Sequence, residues 1–351
     1  MFHGVPEITC AGSPRQIGLD HGKAVRDRVL SNIETYAIFF QECAHIDWAE
    51  SRRLASKHLP AIKAHAPHLV EEMRGIAEGA SVDFEDILTL NVRSEISLTH
   101  SVEADGCTTL VQIRDDKVFI AQNWDWVPES GQSTVLMDIK PHDKPCIRML
   151  AEAGIVGKFG MNSAGLSICM NAIKCTTVEY SKLPVHIAMR KVLECSSFGE
   201  ARSMLDTMGL ASCVNLAVAD RSGAAATIEC TPAGNALIQL EDGTVCHTNH
   251  LYAPNIPPTI RDTPSKNSFH RLERMRTLSK GQSPSFDNIR KWLSDEDGAP
   301  GSIDRRKPPG SVGTARLETL ATIIIDVKAI AMQVSFGRPS LGPPVKTLLL
   351  D

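Results

Sequence analysis

Several features are missing from this 351-residue chain, and each absence removes a class of explanation. There is no uninterrupted apolar run of the roughly eighteen residues that a membrane-spanning helix needs, so a helical membrane protein is excluded. Neither sign of charge dominates: 37 Lys and Arg stand against 41 Asp and Glu, a formal net charge of −4. Without a basic footprint, neither nucleic acid nor a membrane surface is an expected partner. The ten cysteines (10, 43, 107, 146, 169, 175, 195, 213, 230 and 246) contain no Cys-x-x-Cys pair, which argues against a disulfide scaffold and for a reducing compartment. The opening Met1-Phe2-His3-Gly4-Val5-Pro6 lacks the charged-then-apolar order of a signal peptide. The closing Leu348-Leu349-Leu350-Asp351 is not a Ser-Lys-Leu-type address, so a cytoplasmic location is expected.

Metal and nucleotide signatures are also wanting. His247-Thr-Asn-His250 places two histidines three apart, and on a strand such residues point to opposite faces and cannot share one ion. His58, His65 and His68 have helical spacing but no cysteine or carboxylate nearby to complete a site. Gly154-x-x-Gly157-x-x-Gly160 is neither the dinucleotide fingerprint nor a phosphate loop, and its glycines read as strand turns. No metal and no bound cofactor are expected.

What is present is a globular composition, 42% hydrophobic and 22% charged, long enough for one large domain or two ordinary ones. From Ser13 to about Leu69 apolar residues recur at helical spacing, for example Val25, Val29, Ile33, Tyr36 and Phe40, and further amphipathic stretches follow through Met73 and Leu88. After Gly106 the character turns to strands, with helices returning at His186–Glu194, Phe198–Met208, Phe269–Thr277 and Phe286–Leu293. This order fits helices packed outside antiparallel sheets. The Pro-rich stretches at 253–259 and 298–310 read as loops, not linkers.

Cys107, after Gly106 and before a β-rich run, is the strongest candidate for chemistry. If the Gly106–Cys107 bond is cut, one residue carries both a thiol and a free α-amine, which titrate at about 8.5 and 8, so nucleophile and base come together. Glycine at 106 leaves the scissile carbonyl open to close approach. The run Cys107–Arg114, the turn Asp115-Asp116 and the run Lys117–Asp125 read as a hairpin. A two-residue loop sets Cys107 opposite Trp124 and lands Asp125 beside the nascent amine, although a strand-end turn acid fits Asp125 equally well. Asn249, on the same strand as His247, is a neutral amide able to donate to an oxyanion or to cap a turn. Asp304-Arg305-Arg306-Lys307 is either a solvated basic turn or a source of an arginine for the thiolate or for an acidic substrate group.

Eight stretches carry a resemblance: Gly12-Ser-Pro-Arg-Gln-Ile-Gly18 with His21-Gly22, Glu72-Met-Arg-Gly-Ile-Ala77, Asn91-Val-Arg-Ser-Glu95, Asp105-Gly-Cys-Thr-Thr109, Gln122-Asn-Trp-Asp125, Glu152-Ala-Gly154 with Asn162-Ser-Ala-Gly165, His247-Thr-Asn-His250, and Asp295-Glu-Asp297 with Ser302-Ile303. With them the chain resembles, from about Ile8 to Pro339, the acyl-coenzyme A:6-aminopenicillanic-acid acyltransferase (isopenicillin N acyltransferase) family of the N-terminal-nucleophile hydrolase superfamily. The resemblance implies an α+β fold, a four-layer αββα sandwich. It further implies a zymogen that cuts itself at Gly106–Cys107, whose pieces 1–106 and 107–351 stay together as an αβ heterodimer forming one domain. Position by position, Cys107 matches the nucleophile, Asp125 the group orienting its amine, Asn249 the oxyanion donor and Arg305 a supporting residue, with Arg306 serving instead if the loop shifts by one. The implied activity is thioester formation at Cys107, with a small-molecule donor of the acyl-CoA type and an amine acceptor, or water. Two alternatives are a pure amidohydrolase of N-acyl amines or amino acids and a non-processing relative that only binds.

Overall fold

The computed structural model describes residues 4–100 and 106–350; Asp105 of the Asp-Gly-Cys run and Asp351 lie outside them. The chain opens with a strand, β1 (Glu7–Gly12), which the sequence reading had not anticipated. The helical region that follows is interrupted where the backbone leaves helical geometry. Ser13 caps α1 (Pro14–Ala24) by accepting from the Gln16 N–H. Next comes α2 (Arg26–Ala44), ending at His45 with φ of 57°. Then follow α3 (Trp48–Ser56), α4 (Leu59–His65), α5 (Pro67–Ala80), α6 (Phe84–Asn91) and α7 (Arg93–His100). Two pairs of glycines let α1 and α5 pack backbone to backbone: a Cβ on Gly18 would meet the Glu72 carbonyl oxygen at 1.9 Å, and one on Gly75 the Arg15 carbonyl oxygen at 2.2 Å.

The strand region holds β2 (Thr108–Arg114), β3 (Lys117–Trp126), β4 (Thr134–Pro141), β5 (Ile147–Glu152), β6 (Phe159–Asn162) and β7 (Leu166–Ala172). After α8 (Val185–Leu193) and α9 (Phe198–Met208) come β8 (Val214–Asp220), β9 (Ala225–Thr231), β10 (Gly234–Ile238) and β11 (Thr244–His247). The chain finishes with α10 (Lys266–Ser279), α11 (Phe286–Leu293), β12 (Glu318–Asp326), β13 (Ala331–Phe336) and a second unanticipated strand, β14 (Val345–Leu349). One sheet has eight strands in the order β1-β4-β5-β6-β7-β8-β9-β10, and the other six in the order β11-β2-β3-β12-β13-β14.

The sheets face each other through β2, β3, β7 and β8, with α8 and α9 covering the larger sheet and α10 and α11 the smaller. This is the expected αββα layering. On β2 and β3 the two faces separate as period-two alternation requires. Val111, Val118, Ile120, Trp124 and Trp126 point between the sheets, whereas Leu110, Phe119 and Ala121 meet Leu272, Met275, Ile289 and Trp292 of α10 and α11. Two expectations need correction. Asn249 is not on a strand with His247, because β11 ends at His247 and the chain turns away toward Ser268. The thiols are not all separate either: Cys175 and Cys213 form a disulfide. Antiparallel pairing of Ala172 with Val214 brings the segments carrying these two cysteines together, a proximity that scattered spacing in the sequence conceals.

Candidate active site

The β2–β3 hairpin turns on Asp115 and Asp116, both with positive φ (52° and 59°), as a two-residue turn of the I′ kind demands. Its ladder pairs Thr108 with Asn123, so one step further in the same register Cys107 faces Trp124 and has Asp125 for a neighbour. The Cys107 thiol is buried and donates to the Asp125 backbone carbonyl at 3.8 Å. Gly106 is pressed against the same aspartate: a Cβ at 106 would lie 2.5 Å from Asp125 Cβ and 3.3 Å from Oδ2, so no larger residue fits without displacement. Burial pushes the Cys107 thiol up to about 12 and the Asp125 charge adds to that, while Arg271 and Lys158 pull the other way. In this structure the sulfur is therefore a protonated thiol.

Asp125 is itself unusual. It is buried, its Oδ1 accepts a hydrogen bond from Thr319 Oγ1 at 2.7 Å, and its Oδ2 has no hydrogen-bond partner among the described residues. Burial raises its pKa to about 7 against the opposing pull of the Thr319 bond, Arg305 and Arg271. Thr319 sits directly across the ladder from Asp125, and the β12 register shifts immediately after it, between Thr319 and Ala321. A bulge of this kind re-aims a side chain at the end of a strand.

The other candidates arrive from distant segments. Asn249 Oδ1 accepts from the Gly106 N–H at 3.1 Å, while its Nδ2 donates to the Ala172 carbonyl at 2.8 Å. Arg305 is half-buried; its backbone N–H donates to Thr319 Oγ1 at 2.9 Å and its Nε to the Leu317 carbonyl at 3.3 Å, so it reaches Asp125 through Thr319 and through its charge. Arg306 is exposed. Of the two, Arg305 is the arginine brought to the site. The loop carrying it is anchored by Asp304, fully buried and bonded to Arg338 Nε and the Ser340 N–H, both at 2.8 Å. The basic run is thus turned half inward instead of being wholly solvated.

Several site residues escaped the sequence reading. Arg271 of α10 donates to the Cys107 carbonyl at 2.7 Å, and Asn171 of β7 donates to the same oxygen at 3.0 Å. Below them lies a buried ionic cluster in which Glu152 accepts from Tyr36, Arg93 and Lys158 at 2.5, 2.9 and 2.5 Å. The Lys158 ammonium lies 3.3 Å from the centroid of the Trp124 ring, opposite Cys107 on the hairpin. The Asn91-Val-Arg-Ser-Glu95 and Glu152-Ala-Gly154 runs, quoted above for resemblance alone, supply Arg93 and Glu152 to this cluster. A small, narrow pocket opens at Cys107, Asp125 and Asn249 and is walled by Trp124, Trp126, Phe159, Met170 and Leu317.

The histidines behave as structural groups. His247 pairs with Glu229 at 2.9 Å, and His250 Nδ1 lies 2.7 Å from Ser268 Oγ. Among the described residues no group of three or more His, Cys, Asp or Glu side chains could hold a metal ion, and no helix is long and apolar enough to cross a membrane.

Comparison with known proteins bears directly on this geometry. Residues 113–341 match the family model for acyl-coenzyme A:6-aminopenicillanic acid acyl-transferase. The chain is 30% identical over 335 residues to the acyl-coenzyme A:6-aminopenicillanic-acid-acyltransferase 40 kDa form of Emericella nidulans, spanning 95% of this chain and 93% of that protein. It is 22% identical over 376 residues to the beta-alanyl-dopamine/carcinine hydrolase of Drosophila melanogaster, spanning 97% and 95%. Among solved structures, a variant of the conjugated bile acid hydrolase of Clostridium perfringens superimposes with a TM-score of 0.50 at 14% identity, over 70% of this chain and 97% of that one. Matched along most of its length in sequence, the chain belongs to the acyl-coenzyme A:6-aminopenicillanic acid acyltransferase family and has the N-terminal-nucleophile hydrolase fold.

Proposed function

We propose that the protein matures by cutting its own Gly106–Cys107 bond and that the new N-terminal Cys107 then carries an acyl group as a thioester, passing it to an amine or to water. As a member of this family, with an acyltransferase and a hydrolase among its relatives, the protein is an enzyme of acyl transfer or amide hydrolysis. One observation carries the finer reading: the buried Oδ2 of Asp125, held against Gly106 at the junction and without a hydrogen-bond partner among the described residues. A buried carboxylate oxygen without a donor is costly. Cleavage converts the Cys107 amide nitrogen, next along the chain from Gly106, into a free amine whose hydrogens are able to fill that vacancy.

In maturation Cys107 Sγ attacks the Gly106 carbonyl carbon. The C–S bond forms as the C–N bond breaks, and the proton lost by sulfur ends on the departing nitrogen. Asp125, with a pKa of about 7, is suited to relay that proton. Water then hydrolyses the thioester, leaving a carboxylate on Gly106 and a free thiol on Cys107. In turnover the Cys107 α-amine serves as base for its own thiol, Asn249 Nδ2 donates to the oxyanion, and the aromatic pocket receives the substrate. An acyl thioester such as an acyl-CoA would act as donor substrate, and no bound cofactor enters these steps. Hydrolysis as the main outcome is the second reading, favoured by the likeness to the Drosophila hydrolase along nearly the whole chain.

Replacing Cys107 by Ala tests the proposal. Denaturing electrophoresis is expected to show a single intact chain in place of fragments 1–106 and 107–351, and intact-mass measurement with an acyl thioester is expected to show no adduct. Two fragments from Cys107→Ala would rule out the mechanism. With the unaltered protein, incubation with acyl thioesters and amines separates amide formation from release of free acid alone.

A further inference from the structure

Arg271 is wholly buried, yet nothing in its sequence surroundings marks it. Its guanidinium forks across the site: Nη1 donates to the Cys107 carbonyl at 2.7 Å and to Thr108 Oγ1 at 3.0 Å, and Nη2 donates to Asn249 Oδ1 at 2.9 Å. Together with the Gly106 N–H at 3.1 Å, Arg271 defines which end of the Asn249 amide is oxygen. The nitrogen end faces the Ala172 carbonyl at 2.8 Å. Turning the amide over would set its NH2 against two donors and its oxygen against an acceptor, losing all three hydrogen bonds.

The two donors on Oδ1 differ in where they lie along the chain. Gly106 is upstream of the proposed cut and Arg271 downstream of it. We propose that Arg271 is the positioning residue that keeps the Asn249 amide oriented for catalysis once cleavage frees the Gly106 end. This rests on the reading of Cys107 as the exposed nucleophile. With Oδ1 held by Arg271 and one Nδ2 hydrogen held by the Ala172 carbonyl, the second Nδ2 hydrogen is left to serve the oxyanion. Arginine suits the task because its planar fork reaches three acceptors at once, whereas lysine supplies a single point of charge.

The test is a double-variant cycle of Arg271→Gln, Asn249→Ala and the two combined, read as kcat and KM on the self-processed protein. Where processing is slow, kcat is read per mole of the two-fragment form. Each single variant is expected to lower kcat by about tenfold to a hundredfold with KM little changed. The combined variant is expected to lose far less than the product of the two, because Arg271 acts through Asn249. Losses that multiply, or a wild-type kcat in Arg271→Gln, overturn the proposal. If circular dichroism shows Arg271→Gln to be unfolded, Arg271→Lys, which keeps a buried cation, takes its place in the same cycle under the same criteria. Cleavage surviving in Cys107→Ala would remove the nucleophile reading itself, whereas multiplying losses here remove only the role of Arg271.

Discussion

Two carboxylates lie buried in the middle of this molecule, and they have been treated in opposite ways. Glu152 takes hydrogen bonds from Tyr36, Arg93 and Lys158. Burial pushes its pKa upward, but Arg93 and Lys158 outweigh that and hold it down to about 2. Asp125, on β3 of the other sheet, has one donor among the described residues in Thr319, and burial wins, raising it to about 7. The difference teaches what burial alone cannot: two bonded cations, Arg93 and Lys158, hold Glu152 charged, whereas Asp125, bonded to the neutral Thr319, is left poised to exchange a proton near neutral pH. Glu152 is saturated and structural, joining α2 and α7 to β5. Asp125 is left short of a donor beside the bond proposed to break.

Removing the charge of Glu152 breaks the comparison at its stable end and is expected to have the largest effect. Glu152→Gln leaves Arg93 and Lys158 buried without their anion, and urea titration should show a loss of about 3–5 kcal/mol or an insoluble chain. Unchanged stability would show that the cluster is not the anchor described here.

The next largest effect is a pair of opposite pH slopes. With its pKa raised in the fold, Asp125 contributes stability that is complete below its ordinary value of 3.8 and is lost as pH rises toward about 7. Glu152 behaves in reverse: its contribution is complete above 4.5 and is lost as pH falls toward about 2. In the unprocessed Cys107→Ala protein, Asp125→Asn should therefore raise stability at pH 7 by on the order of 2–4 kcal/mol and flatten the slope between pH 4 and 7. A slope untouched by Asp125→Asn would contradict this account. The smallest expected effect distinguishes two neighbouring arginines. Arg305→Ala should move the Asp125 titration upward and slow cleavage several-fold, whereas Arg306→Ala, altering an exposed side chain, should leave both within error.

Where residues are neighbours along the chain or across one tight turn, the sequence reading and the structure coincide. The Cys107–Asp125 hairpin is such a place: two left-handed aspartates close the turn, alternation sets the faces, and the register follows. The boundaries of α9 and α11 also agree, because Ser197 and Ser285 cap them and their side chains accept the first free N–H groups. The edge strands β1 and β14 were missed, since a short half-exposed run becomes a strand only when a neighbour offers its edge. Arg271 was missed for a related reason. An arginine on an amphipathic helix reads as a solvated residue until the helix is docked and its inner face is known.

The sequence by itself determined most of the helical and inner-strand segments, the hairpin and the candidate nucleophile with its neighbouring acid, because these depend on spacing, turn chemistry and alternation over a few residues. Only the tertiary structure decided that Asn249, Arg271 and Arg305 converge on that hairpin, that Asp125 lacks a second donor among the described residues, and that Cys175 meets Cys213. Those outcomes depend on how two sheets and their covering helices pack, and burial, donor count and electrostatic environment come into being with that packing.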